Sequence, residues 1–229
     1  MSGILSAVIV LLTVLIYAVM AIIYKKFKLP ILMPALTGTA IIVIILLNLN
    51  ISYSTYMEGG QWINKLLGPA VVALAYPLYK QRHQLLKNWL PIVGGSLAGV
   101  FAGMLSGMLL ALAFGFSKPF ILSIVPKSVT TPVAIQIVNH LGADSSLTSV
   151  FVMIAGFTGA VCGVYLLRLF RIHHVIGSGI ALGSSSHALG TAKAMEIGEQ
   201  ASSMSSIAMT ISAIVASFIA PLVVWIVFH

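Results

Sequence analysis

The chain has 229 residues, of which 59% are hydrophobic and only 7% are charged, whereas soluble domains average about 25% charged residues. A soluble globular fold is therefore excluded, and we predict an all-α polytopic membrane protein. The formal net charge is +8, but the basic residues form short clusters between apolar runs. That pattern is typical of cytoplasmic loops rather than of a nucleic-acid-binding surface.

The first three apolar runs alternate between the two sides of the membrane. Ile4–Tyr24 is followed by Lys25, Lys26 and Lys28, so it is too long and wrongly flanked for a cleaved signal peptide, and we expect a first span with its N-terminus outside. Ile31–Leu49 would return to an outer loop at Asn50–Asn64, where aromatic residues suit the interface. The third run, Ile63–Tyr79, is interrupted by Gly68, Pro69 and Pro77 and ends at the basic stretch Lys80–Lys87.

The fourth run, Trp89–Phe116, carries a glycine at every fourth position. These glycines are Gly95, Gly99, Gly103 and Gly107. They share one helix face, and small residues at this spacing let a neighbouring helix approach closely. We predict a close-packing seam along this face.

Two later segments are broken. Phe120–Gly142 is interrupted by Pro126–Pro132, and the basic residues after the next span, Leu147–Leu169, favour a hairpin that re-enters from the outside. Val175–Gly198 is interrupted at Gly183–His187, and either a cytoplasmic re-entrant hairpin or a broken crossing fits it. With a last span at Ile207–Phe228, we expect about six full spans and two broken segments in one membrane domain, residues 1–229.

The second half of the chain contains an internal repeat. The sequence SSLTSV at Ser145–Val150 matches SSMSSI at Ser202–Ile207 position by position, and Ser128–Thr131 falls on Ser184–His187. We therefore divide the domain into N-terminal helices, residues 1–118, and two repeat units, residues 119–170 and 175–229. If the two breaks enter from opposite sides, the units form an inverted repeat, as in many secondary transporters.

Each broken segment contains a short helix that would end inside the membrane. Thr131 is the predicted N-cap of the first, with Pro132 at its first position and Gly142 at its end, and Ser186 and Gly198 bound the second. Helix N-termini carry free N–H groups and a partial positive charge, so two of them facing one cavity would favour an anion. A small carboxylate is the simplest ligand.

Polar residues at the breaks are the candidates for the site. A lysine within a span is costly, so Lys127 and Lys193 are functional candidates, although each could instead extend to the interface. His187 could carry a proton, or its ring could simply bond a backbone carbonyl. The predicted substrate-binding residues are Lys127, Ser128, Thr130, Thr131, Ser184, Ser185, Ser186, His187 and Lys193.

Neither an enzyme nor a metal site is expected. The Ser-Ser-Ser-His sequence ending at His187 could suggest a serine hydrolase, but its hydroxyl would need a base from elsewhere, and His140 is the only other candidate. The lone Cys162 permits no intramolecular disulfide and no cysteine metal cluster. We predict no cofactor, with a coupling proton as the one additional species.

Three motifs resemble the LrgB/CidB family of bacterial membrane proteins. They are Leu67–Tyr79 (LGPAVVALAYPLY), Ile124–Pro132 (IVPKSVTTP) and Ala181–Glu196 (ALGSSSHALGTAKAME). The resemblance covers most of the chain and implies a multi-pass protein of the bacterial plasma membrane.

The resemblance implies two different functions. The family is described as holin- or antiholin-associated, affecting murein hydrolases and autolysis together with a small LrgA/CidA-type membrane partner. Related bacterial and plastid proteins are linked instead to transport of small monocarboxylates such as pyruvate, glycolate or glycerate. The paired breaks favour a transporter of a small organic anion, and a homo-oligomer in the lipid bilayer is expected.

Overall fold

The structure is a computed structural model, and it describes residues 2–27, 29, 32–73 and 75–228. Over these residues the regular secondary structure is α-helical, which confirms the predicted class. The predictions that concern Lys28 and Ile31 lie outside the described residues. The chain forms two compact units, residues 1–70 and 71–229.

The helices, in chain order, are α1 (Ser2–Phe27), α2 (Pro34–Asn48), α3 (Tyr53–Lys65), α4 (Leu67–Ala73), α5 (Ala75–Lys80), α6 (Arg82–Lys87), α7 (Trp89–Ala113), α8 (Lys118–Ile124), α9 (Thr131–Leu141), α10 (Ser145–Leu169), α11 (Val175–Ile197) and α12 (Glu199–Phe228).

Four of these helices are long and apolar enough to cross a bilayer, namely α1, α7, α10 and α12. A helix of 25 residues is about 37 Å long, and the hydrocarbon core is about 30 Å thick. Helix α2 has only 15 residues. The third apolar run, Ile63–Tyr79, covers the end of α3, then α4 and α5, and residue 74 between these last two lies outside the described residues. The described part of the chain thus holds four helices long enough to span the membrane, where about six full spans were predicted.

In the first unit, α3 packs along α1. The Ser6 hydroxyl donates to the Glu58 carbonyl at 3.0 Å, and Thr13 and Tyr56 share a hydrogen bond at 3.1 Å. The loop predicted at Asn50–Asn64 is therefore helical from Tyr53 onward, and the prediction of a loop there was wrong. Its polar and aromatic composition suggested a loop, but Ser52 caps a helix there, and the small Gly59 allows that helix to lie directly on Ile9.

In the second unit, the first broken segment forms a hairpin with both ends at the C-terminal end of α7. This first hairpin consists of α8, a tip at residues 125–130, and α9. Its two arms are tied where the backbone N–H of Asp144 donates to Ser123 Oγ at 3.3 Å. Its tip reaches back toward the middle of α7, where it lies against Gly103 and Gly107.

The caps of α9 differ from the prediction by one residue. The N-cap is Thr130, and Thr131 is already helical, so Pro132 occupies the second helical position. Gly142 ends the helix as predicted, with a left-handed φ of 68° that a side chain would disfavour. The shift arises because Thr130 and Thr131 are equally good capping residues, and sequence alone does not distinguish them.

The second broken segment, α11, turns back on itself at His187. This residue has φ 42° and ψ −133°, which are not helical angles. After the turn, Gly190 lies directly against the Leu182 carbonyl, eight residues earlier in the chain. We call Val175–Ile197 the second hairpin. Its return arm begins after His187, so the prediction that Ser186 bounds this helix was wrong by one or two residues.

The two hairpins approach the middle of α7 from its two ends. The entering arm of the second hairpin runs in the same direction as α7, because Ile180 lies against Gly95 and Ser184 against Gly99. The first hairpin comes from the other end, with Lys127 against Gly107 and Ser128 against Gly103. The order of helix, break, helix and long helix therefore occurs twice.

Candidate functional site

The glycine seam of α7 is the surface on which the two tips meet. A Cβ atom added to Gly99 would lie 2.7 Å from Ser184 Oγ, and one added to Gly103 would lie 2.8 Å from Ser128 Oγ. These contacts confirm the predicted seam. Gly99 and Gly103 are one helical turn apart, about 6 Å along the axis, so residues from the two repeats lie on neighbouring turns of one helix.

Lys127 extends along the same seam. Its Nζ donates to the Gly103 carbonyl at 2.8 Å, and its side-chain carbons cover Gly107, where an added Cβ would lie 2.9 Å from Cε. The ammonium group therefore lies beside Ser128 and does not extend to the end of α7. A carbonyl is a neutral partner, so the positive charge at this position has no counter-ion among the described residues.

The three serines before the second turn face different neighbours. Ser184 is buried and donates to the Ile180 carbonyl at 2.8 Å. Ser186 is fully buried against Gly159 of α10, and its hydroxyl bonds the exposed Ser185 at 3.0 Å. The structure thus places Ser184 on α7 and Ser186 on α10, with Ser185 between them.

His187 is held at the tip by α10. Its ring is buried, Nε2 lies 3.0 Å from the Val152 carbonyl, and the ring packs directly on Gly156. Its positive φ places a non-glycine residue in a conformation that costs about 1–3 kcal/mol, and such strain is concentrated at functional positions. The interpretation of His187 as a buried ring bonded to a backbone carbonyl is confirmed.

Thr130 and Thr131 lie at the start of α9, next to the first tip. Thr130 is buried and its side chain makes no capping hydrogen bond, while Thr131 is half-buried. The carbonyl of Thr130 accepts from the backbone N–H groups of Val133 and Ala134 at 3.0 and 2.9 Å. The Thr130 hydroxyl is therefore not committed to holding the helix end.

Lys193 lies in a different place from the other predicted site residues. It forms a 2.6 Å ion pair with Glu196. It also lines a cavity of about 480 Å³ with Arg168 and His173, at the end of α10 and the base of the second hairpin. The structure brings Lys193 to this basic cavity rather than to the hairpin tips.

A second cavity extends from the base of the second hairpin to its tip. It has a volume of about 490 Å³ and lies between α7, α10 and the entering arm of α11. It extends from Pro91 and Phe170 to Ser184 and Ser185, and Gly95 and Gly99 of the seam line one wall. The glycines therefore also leave space beside the hairpin.

Two further hydroxyls fasten the hairpins and were not predicted as functional. Thr148 Oγ1 donates to the Ser123 carbonyl at 3.0 Å, which joins α10 to the first hairpin. Ser205 and Thr191 share a hydrogen bond at 2.9 Å, which joins α12 to the second. Thr148 and Ser205 are equivalent positions of the sequence repeat, so the repeat was the signal that could have identified them.

Comparisons with known proteins cover nearly the whole chain. The model of the LrgB-like family matches residues 13–226. The uncharacterized protein YxaC of Bacillus subtilis is 56% identical over 98% of this chain and 97% of its own length. The holin-like protein CidB of Staphylococcus aureus is 38% identical over 94% of each chain, and that of Staphylococcus epidermidis is 36% identical over 96% of each.

No solved structure matches the chain. The relatives are bacterial, and their family is one of membrane proteins rather than of enzymes. The long apolar helices, the three sequence motifs and these matches agree. This chain belongs to the LrgB-like family, as its motifs indicated.

Proposed function

We propose that the protein is a carrier of small monocarboxylates, of the size of pyruvate or glycolate, in the bacterial plasma membrane. One observation carries the proposal: two hairpin tips from opposite ends of α7 place Ser128 and Ser184 on neighbouring turns of its glycine seam. Polar, non-helical backbone in the middle of a membrane protein needs a cavity or surrounding protein. Secondary transporters place their substrate site at such a position.

In this proposal the second unit is an inverted repeat. The long helices α7, α10 and α12 cross the bilayer, and both hairpins are re-entrant, the first from the outside and the second from the cytoplasm. The recurring order of elements supports this arrangement, and so do the opposite directions of the two hairpins along α7. Positive residues at the end of α10 support a cytoplasmic location for the base of the second hairpin.

The chemistry at the tips suits a small anion. Lys127 supplies a positive charge beside Ser128, and the return arms α9 and residues 188–197 each begin at a tip, where the first N–H groups of a helix are free. Hydroxyls of Ser128, Thr130, Thr131, Ser184, Ser185 and Ser186 would add hydrogen bonds.

The basic cavity and His187 would assist transport of the anion. The basic cavity at Arg168, His173 and Lys193 would attract anions from the cytoplasm, since clefts lined by one sign of charge concentrate oppositely charged ligands. His187, which forms the second tip and contacts α10, would be the proton site of a proton-coupled cycle. The protein would then be a transporter without enzymatic activity.

A second function has its own support. The Staphylococcus relatives are named holin-like, so the chain could instead regulate murein hydrolases and autolysis together with a small LrgA/CidA-like membrane protein. Association with such a partner, and self-association in the bilayer, is compatible with either function.

The test is uptake by purified protein in liposomes. We expect accumulation of labelled pyruvate or glycolate that saturates with concentration and responds to a pH gradient. Release of a bulky trapped dye that requires the small partner protein, without saturable carboxylate uptake, would support the regulatory function and exclude the carrier.

A further inference from the structure

Ser212 of α12 is a buried hydroxyl without a partner. It is 2% exposed, and its Oγ has no hydrogen-bond partner among residues 2–27, 29, 32–73 and 75–228. Nearby hydroxyls of the same helix bond a carbonyl four residues earlier: Thr210 donates to Ser206 at 2.9 Å and Ser217 to Ala213 at 2.9 Å. Ser212 is thus an exception on its own helix.

The carbonyl that Ser212 would use is already occupied. That acceptor is the Ala208 carbonyl, and Ser96 of α7 donates its hydroxyl to it at 3.5 Å. The helical N–H of residue 212 uses the same oxygen, and a carbonyl oxygen has two lone pairs. The contact between α7 and α12 therefore leaves the Ser212 hydroxyl free.

The helix period places Ser212 on the face of α12 that packs against the second hairpin. Ser205, seven residues earlier, faces the second hairpin through its bond to Thr191, and seven residues are almost two full turns, so Ser212 shares that face. The backbone of Ser205 itself lies against Gly183, one turn before the tip residue His187. From the other direction, Ala213 packs in one apolar cluster with Val129 and Val133 of the first hairpin.

We infer that Ser212 is a third contributor to the anion site, supplying a hydroxyl from α12 that donates to the bound carboxylate. This inference rests on the proposed function. An unsatisfied buried hydroxyl is costly in an apolar environment, whereas a carboxylate oxygen is an acceptor that could offset the cost when it binds. Ser212 would then act with Ser128 and Ser184, so that each hairpin and a full span hold the ligand.

The experiment compares Ser212→Ala with Ser217→Ala in the full-length protein. Ser217 is a matched control because it is an exposed serine of α12 that bonds its own helix. Pyruvate binding is measured by calorimetry, and the thermal midpoint is recorded with and without pyruvate. We expect Ser212→Ala to weaken binding at least about tenfold, as for loss of a hydrogen bond to a charged group, and Ser217→Ala to bind like the wild type.

The unliganded midpoint separates binding from a structural role. Removal of an unpaired hydroxyl should leave the midpoint of Ser212→Ala unchanged or higher, while the stabilisation by pyruvate shrinks. A lower midpoint with unchanged binding would overturn the inference and assign Ser212 a structural contact. Wild-type protein that binds no pyruvate would refute the carrier proposal and this inference together, whereas equal binding by wild type and Ser212→Ala would refute the inference alone.

Discussion

Lys127 is the residue whose charge distinguishes an anion site from a mere packing contact. Its ammonium group lies between α7 and the first tip, where the Gly103 carbonyl is its partner. If the first tip lies at the middle of the bilayer, as the proposed function requires, a lysine there costs about 2.5–3.5 kcal/mol on insertion scales. Attraction to a bound carboxylate would offset that cost.

We predict that Lys127→Gln lowers the affinity for pyruvate about tenfold or more, because a charge-assisted hydrogen bond to the ligand is worth about 1.5–3 kcal/mol. The control is Lys118→Gln, since Lys118 is exposed and lies 4.9 Å from the Phe228 ring, at the other end of the hairpin's first arm. Concentration-dependent uptake in liposomes measures both. Equal loss in the two variants would indicate a general effect of positive charge and not a contact with substrate.

At the scale of the helix, α7 provides a matched pair of glycines, one on the seam and one outside it. Gly103 contacts Ser128, whereas an added Cβ at Gly94 of the same helix would meet nothing within 4 Å. We predict that Gly103→Ala lowers stability by about 1–3 kcal/mol, the usual cost of overpacking. Gly94→Ala should be neutral or stabilising by up to about 1 kcal/mol. Thermal midpoints in detergent would measure this difference in stability. Similar midpoints for the two variants would contradict the close contact between Gly103 and Ser128.

Helix spacing was the part of this site that sequence could predict. A glycine at every fourth residue identifies a seam because the period of the helix is fixed, but it does not identify which element packs there. The seam receives two hairpins rather than a neighbouring full span. Similarly, Ser128 and Ser184 were predicted from the breaks, whereas Ser212 belongs to an unbroken apolar helix and became a candidate only when its acceptor was seen to be occupied.

For the whole molecule, the proposal fixes the side of the membrane on which each connection lies. In a Cys162→Ala background, Phe116→Cys and Ser146→Cys flank the first hairpin, and His173→Cys and Glu199→Cys flank the second. All four native side chains are exposed. We predict that a membrane-impermeant thiol reagent labels the first pair from outside and the second pair only after the cells are opened. Labelling of positions 173 and 199 from opposite sides would show that α11 crosses the membrane.

The sequence did not distinguish a re-entrant hairpin from a broken crossing at Val175–Gly198, because the two differ in the path of the backbone and not in composition. Basic residues precede α11, but after it Glu199 is the nearest charge, so the bias of positive residues gives no clear answer there. The turn at His187 decides the local path, and it places a histidine in angles that favour glycine. Sequence patterns predict such angles at glycine, not at a buried histidine.

The contacts of the second hairpin also impose an order on biosynthesis. The helices α7 and α10, which contact the hairpin, are both synthesised before it. Gly179 and Gly183, however, lie against the backbone of α12 at Ala201 and Ser205, and α12 is the last helix, with 30 residues. During translation the face of the hairpin that carries Gly179 and Gly183 therefore stays uncovered until the first turns of α12 have been synthesised.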